Sequence, residues 1–185
     1  MSEWLEELKE TGAYLEGHFL LTTGRHSDRF FLMARLTEHP RRLERWTDHL
    51  ALRVRRFSPR AVVGPAVGGI IPAYALARAL DARALFCEKV DQGMAFRRGF
   101  RLEPGEPVVV IEDAVTTGSS VQKVIDAVQA AGGMVRAVAA LVDRTGGHSP
   151  WPYPYEACLR VRVDSWEPSD CPLCRAGVPL ERPKL

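Results

Sequence analysis

No apolar run in these 185 residues comes near the roughly 20 that a membrane-spanning helix needs, so no membrane partner is predicted. An excess of one charge is missing too. Lys and Arg number 25 against 23 Asp and Glu, a net +2, which predicts neither a nucleic-acid nor a membrane field. Lysine is scarce, 4 residues against 21 arginines, but this imbalance leaves the total charge near zero. Cysteines number only four. Glu3, Glu6, Glu7 and Glu10 interrupt the first 20 residues, so no signal peptide is expected. A cytoplasmic location with reduced thiols is the resulting expectation. No GxxxxGK[ST] occurs, which disfavours a P-loop nucleotidase. Repeats and low-complexity blocks are absent as well. The length suits one well-filled core, so residues 1–185 are predicted to be a single domain.

What is present has a clear rhythm. Residues 3–16 are predicted as a helix with Trp4, Leu5 and Leu8 on one side. A clearer helix spans 40–57: Pro40 opens it, and Leu43, Trp46, Leu50, Val54 and Phe57 recur at helical spacing. Short apolar runs follow at 61–64, 84–87, 107–111 and 135–142, separated by helical stretches at 68–80 and 120–133. Continuous apolar strands alternating with helices predict a parallel sheet covered on both faces. The fold class is therefore α/β, with a doubly wound core over about 60–143, a hood region at 1–38, and a last strand (about 156–163) with a Pro-rich tail in 144–185. Between the second and third runs, 88–107 carries many charges, three glycines and two prolines. Its MAFRRGFRL segment is predicted as a hairpin and the rest as a mobile lid.

The densest chemistry lies in VVVIEDAVTTGSSV, residues 108–121. A buried strand seldom ends in two acids, because a desolvated carboxylate is costly without compensation. In an open α/β sheet the carboxyl ends of strands are where ligands bind. Glu112 and Asp113 suit sugar hydroxyls or a magnesium shell. The hydroxyls and glycine of Thr116, Thr117, Gly118, Ser119 and Ser120 lead into a helix N-terminus and suit an anion. Together they predict a phosphorylated sugar as ligand. The plainer alternative is an acid pair that only caps the next helix.

This stretch closely resembles the phosphoribosyl-pyrophosphate (PRPP) signature of type I phosphoribosyltransferases. Further segments resemble the orotate branch of that family: GHFLLTTGRHSDRFF (17–31), VVGPAVGGIIPAYALA (62–77), FCEK (86–89), LVDR (141–144) and CPLCRAGVPL (171–180). The resemblance implies the type I phosphoribosyltransferase fold with a mobile catalytic loop. It implies a pentosyl-transfer enzyme that makes orotidine 5′-monophosphate and pyrophosphate from orotate and PRPP, in pyrimidine biosynthesis. By position, Glu112 and Asp113 contact the ribose, and Ala114, Val115, Thr116, Thr117, Gly118, Ser119 and Ser120 wrap the 5-phosphate. Ala66, Val67, Gly68 and Gly69 hold the pyrophosphate. Thr116, Arg144, Phe30 and Phe31 meet orotate. Lys89 and Asp113 are marked as catalytic, with Lys89 reaching PRPP in the neighbouring subunit of a homodimer. The cofactor is Mg2+, carried on PRPP and not by dedicated protein ligands. The chain departs from the family in its loop, where Lys89 is the one clear lysine and Arg97 and Arg98 stand as substitutes. It departs also at Thr22, where some members carry Lys or Arg.

Two other functions are compatible with the PRPP loop: a transferase for another base, and a PRPP sensor without catalysis. Arg144 speaks against the first, since neutral purines need no carboxylate clamp. The second needs an appended nucleic-acid-binding domain or a strongly basic face, and neither is visible. The Arg cluster at 53, 55, 56 and 60 reads as a solvated face or subunit contact. Cys171 and Cys174, spaced CxxC, are half of a zinc set. With no second CxxC and no ligand spacing among His18, His26, His39, His49 and His148, free thiols or a redox pair are expected there. His26 is either a surface histidine or one approaching substrate. Trp46 is expected in the core, and Trp151 as a dimer or loop anchor.

Overall fold

The computed structural model describes residues 2–21 and 23–183, so Thr22 lies outside the described residues. Helix α1 (Glu3–Glu10) is followed by strands β1 (Tyr14–Leu20) and β2 (His26–Phe31). Helices α2 (Ala34–Thr37) and α3 (Pro40–Val54) lead to β3 (Ala61–Pro65), α4 (Ile70–Leu80), β4 (Arg83–Val90) and β5 (Gly93–Phe96). Strand β6 (Pro107–Val115), α5 (Ser119–Ala130), β7 (Met134–Asp143) and β8 (Tyr155–Arg160) complete the core. A two-residue strand β9 (Ser165–Trp166) and a one-turn helix α6 (Pro172–Arg175) end it.

Six strands form one sheet in the order β5-β4-β3-β6-β7-β8. All neighbours are parallel except the β4–β5 edge pair. From β3 the chain winds outward one way through α4 to β4; from β6 it winds the other way through α5 to β7. The switch point therefore lies between β3 and β6, where such sheets bind ligands beyond the strands' carboxyl ends. The apolar runs are continuous because both faces are covered. Val62, Val109 and Ile111 pack with Leu43, Trp46, Leu50 and Leu76 from α3 and α4. Their sequence neighbours Val63, Val108 and Val110 pack on the opposite face with Val121, Val124, Ile125 and Val128 of α5.

A smaller antiparallel sheet, β1-β2-β9, forms the hood. The helix expected over 3–16 stops at Glu10. Gly12 takes a φ of +71°, a left-handed turn, and Tyr14–Leu20 then pairs with β2 as a strand, Tyr14 opposite Phe31. Helical spacing of Leu8 and Leu15 concealed that break. The lid region is also corrected. Strand β4 runs on through the charged residues to Val90, and the hairpin is β4–β5, with Lys89 opposite Met94. The expected hairpin over 94–102 lies mostly beyond it. The last strand spans Tyr155–Arg160, shorter than the expected 156–163. Among the described residues no helix is long and apolar enough to cross a membrane.

Candidate active site

Glu112 and Asp113 lie inside β6 near its carboxyl end, not after it. Glu112 is only 8% exposed. Its Oε1 accepts from the Asp113 N–H at 3.2 Å, and Asp113 Oδ1 accepts from the Ala114 N–H at 2.6 Å. Neither acid forms an ion pair with any described residue. Burial first, and the neighbouring Asp113 charge second, push the Glu112 carboxyl up to about 9. Burial likewise raises Asp113. A pair of buried acids with no cationic partner suits a ligand that supplies hydroxyl donors or a cation.

The chain then turns through Thr116–Gly118 into α5. Gly118 is required here twice over. Its φ is +79°, and a Cβ would stand 2.6 Å from Trp151 Cζ2 and 2.9 Å from Pro150 Cγ. Trp151, buried and edge-on to Tyr155, thus braces the loop from behind. Sequence had left it as either a dimer or a loop anchor; it is a loop anchor. Gly118 has no side chain with which to cap α5, and the one side-chain contact to its first turn is a long one, Ser119 N–H to Thr117 Oγ1 at 3.4 Å, so first-turn N–H groups stay available to a ligand. Residues Glu112, Ala114, Val115, Thr116, Thr117, Gly118, Ser119, Ser120 and Val121 together line a small cleft of about 30 Å³.

Beside this cleft, β3 ends in the turn Ala66–Gly69. Gly64 and Gly69 touch: a Cβ on Gly64 would stand 2.2 Å from the Gly69 carbonyl oxygen. The Ala66–Val67 peptide is cis. A Cβ on Gly68 would lie 2.6 Å from Asp113 Oδ2, so this turn abuts the acid pair across the switch point.

A second cleft, of about 440 Å³, adjoins the loop at Thr116 and Thr117. Phe30, Phe31 and Arg144, three residues that the family resemblance assigns to the base, line it together. Arg144 follows β7, its N–H bonded to Val115 O at 2.8 Å, which ties the ends of β6 and β7 together. Its guanidinium carbon lies 5.0 Å from the centre of the Phe31 ring. Its Nε is buried with no hydrogen-bond partner among the described residues, and burial lowers its pKa. A half-buried guanidinium with a buried, unpartnered Nε beside an aromatic face is a site for a flat anion.

Sequence reading missed Arg25 and Ser165, which also line this cleft. Arg25 Nε donates to Ser165 Oγ at 3.1 Å and Nη2 to Ser165 O at 2.7 Å, and it pairs with Glu167. Arg25 was within reach, inside TTGRHSD. Ser165 was not, because only the β2–β9 pairing brings it there. Lys89 stands apart. Pro65, the last residue of β3, is opposite Cys87, so Lys89 projects past that end toward the carboxyl side of the sheet. It is exposed and lines neither cleft. Arg98 pairs with Glu88. His26, 5% exposed, is neither on the surface nor in these clefts; it faces His18 and the C-terminal cysteines.

Residues 34–173 match the phosphoribosyl transferase domain family. Orotate phosphoribosyltransferase from Heliobacterium modesticaldum is 49% identical over 181 residues, covering 97% of this chain and 95% of the relative. That of Thermotoga maritima is 44% identical over 178 residues, covering 96% and 95%. Among solved structures, orotate phosphoribosyltransferase from Aeropyrum pernix superposes with a TM-score of 0.69 at 28% identity, over 84% of this chain and 92% of that one. Adenine phosphoribosyltransferase from Leishmania tarentolae, 19% identical with a TM-score of 0.62 over 85% and 87%, shares the fold.

Proposed function

This chain belongs to the phosphoribosyltransferase family, and we propose that it is the member that transfers the phosphoribosyl group of PRPP to orotate, giving orotidine 5′-monophosphate and pyrophosphate. The observation that carries the choice of base is Arg144: a half-buried guanidinium with a buried, unpartnered Nε, over Phe31, in a cleft that opens onto the sugar-phosphate loop. Orotate is planar and carries a carboxylate, so it matches both the aromatic face and the fork. Purine bases are neutral and leave that charge without a partner.

The roles follow from placement. The N-terminal turn of α5 and the hydroxyls of Thr116, Thr117, Ser119 and Ser120 hold the 5-phosphate. On ligand binding Glu112 gives up the proton it keeps in the unliganded chain, and Glu112 and Asp113 accept from the ribose hydroxyls. The Ala66–Gly69 turn, against Asp113, takes the pyrophosphate. When the C1–O bond to pyrophosphate breaks, positive charge develops on the ribose, and the two carboxylates below it stabilise that charge. The base nitrogen then closes on C1. The acid pair, without an ion-pair partner among the described residues, also fits a magnesium-bearing substrate, and Mg2+ bound through PRPP would supply charge neutralisation at the leaving pyrophosphate. Lys89, exposed beyond the strand ends, serves the site of a second subunit in a homodimer.

Incubating the protein with orotate, PRPP and Mg2+ and following orotate absorbance tests the reading. We expect PRPP-dependent loss of orotate. An unchanged orotate signal, with PRPP still binding, contradicts it.

A further inference from the structure

Four side chains that neither cleft uses converge between the hood and the tail. His18 on β1 and His26 on β2 meet Cys171 and Cys174, which flank the CPLC turn of α6, and their ligand atoms all lie within 4.8 Å of one another. His18 Nε2 is 3.0 Å from His26 Nδ1, 3.4 Å from Cys171 Sγ and 3.7 Å from Cys174 Sγ. Cys174 Sγ is 3.3 Å from His26 Nδ1. Around a tetrahedral zinc ion with ordinary bond lengths, neighbouring ligand atoms stand about 3.3 Å apart for two nitrogens and about 3.6 Å for nitrogen and sulfur. The observed spacings fall close to those edges.

The hydrogen-bonding argument points the same way. His18 Nδ1 is 2.8 Å from Val178 O, a carbonyl that can only accept. Nδ1 therefore carries the proton, and Nε2 of the neutral ring presents a lone pair. One lone pair faces three groups, of which it can accept from only one; a cation at the centre satisfies all four. Such a backbone carbonyl, fixing the tautomer of a ligating histidine from outside, is the usual support of a metal site. His18, His26 and Cys171 are buried, at 1%, 5% and 0% exposure.

Sequence alone pointed to free thiols or a redox pair because the histidines lack ligand spacing along the chain. The β1–β2 hairpin brings His18 and His26 together, and the tail returns to them. Glu181 N–H donates to His18 O at 2.7 Å, and Leu20 N–H to Glu181 O at 2.9 Å. Gly177, at φ +69°, turns the chain back beneath Cys174.

We propose that His18 Nε2, His26 Nδ1, Cys171 Sγ and Cys174 Sγ bind one structural Zn2+ that clamps the C-terminal tail to the hood. Two histidines and two thiolates at tetrahedral spacing select zinc among the common divalent ions. All four positions are filled by protein, so the site is closed and takes no part in catalysis. Its effect reaches the base cleft through β2, which carries His26 at one end and Phe30 and Phe31 at the other.

The test uses the full chain, purified under reducing conditions and offered excess Zn2+, then dialysed and analysed for metal. We expect about one Zn2+ per chain, and none in a Cys171→Ser/Cys174→Ser variant. The unaltered chain loaded with Co2+ should show the visible bands of tetrahedral thiolate-bound cobalt, a readout that holds even if the variant folds poorly. Removing zinc should lower the melting temperature by on the order of 5 °C, and expose two fast-reacting thiols. Burial pushes Cys87 and Cys158 up to about 12, so those two stay unreactive. Zinc absent from the reduced, reconstituted chain, zinc equal in chain and variant, or a Cys171–Cys174 disulfide resistant to reductant would each overturn the proposal.

Discussion

Three residues concentrate the chemistry. Arg144 holds a half-buried positive charge with its Nε buried and unpartnered among the described residues. Replacing it with Gln should raise KM for orotate by about 10–100-fold, the value of one charge-assisted contact, while PRPP binding stays unchanged; an equal loss for both substrates contradicts the assignment. Gly118→Ala forces a side chain into Trp151 at a left-handed φ. PRPP affinity measured by calorimetry should fall by more than about tenfold, since a clash and backbone strain each cost on the order of 1 kcal/mol or more. Glu112 gives a pH signature. Its folded carboxyl is pushed up to about 9 from an ordinary 4.5. The folded, unliganded chain thus keeps a proton that the unfolded chain loses, so this stabilisation is full below 4.5 and is lost as pH rises through 9. Melting temperature should decline across that window, and less so in Glu112→Gln. Parallel slopes in the two proteins would show that Glu112 is not the group responsible.

At the scale of elements, legibility followed burial. Strands β3, β6 and β7 and helices α3 and α5 were readable because apolar runs and 3–4 spacing report burial directly, as Val62, Val109, Leu50 and Val124 show. The acid pair and glycine–hydroxyl loop were readable because they break that pattern abruptly. Elements defined by pairing were not. Strand β1 is a strand only because β2 lies beside it, and β4 continues through Glu88 and Lys89 only because β5 closes on it. The zinc cluster was the least legible, its members being up to 156 residues apart in sequence. One prediction belongs here. Trp46, fully buried, donates from Nε1 to Glu7 Oε2 at 2.7 Å and packs on Trp4, locking α1 to α3. Trp46→Ala should cost about 3–5 kcal/mol in chemical denaturation; a loss below 1 kcal/mol would mean α1 contributes little.

At the scale of the whole molecule, the sheet places four segments at one end: the turn after β3, the β4–β5 hairpin that carries Lys89, the phosphate loop after β6, and Arg144 after β7. Three surround the clefts, and Lys89 does not. If Lys89 acts across a homodimer, mixing Lys89→Ala chains with Asp113→Asn chains should restore about one quarter of normal turnover, since half of the dimers then carry one intact site. No recovery after subunit exchange would return Lys89 to its own chain's site or remove it from catalysis. The measurement that tests the central claim most directly is kcat/KM for orotate against uracil, which is orotate without the carboxylate. The account predicts a preference for orotate of at least about 100-fold, because uracil leaves the half-buried Arg144 unpaired. Equal use of the two bases would contradict it.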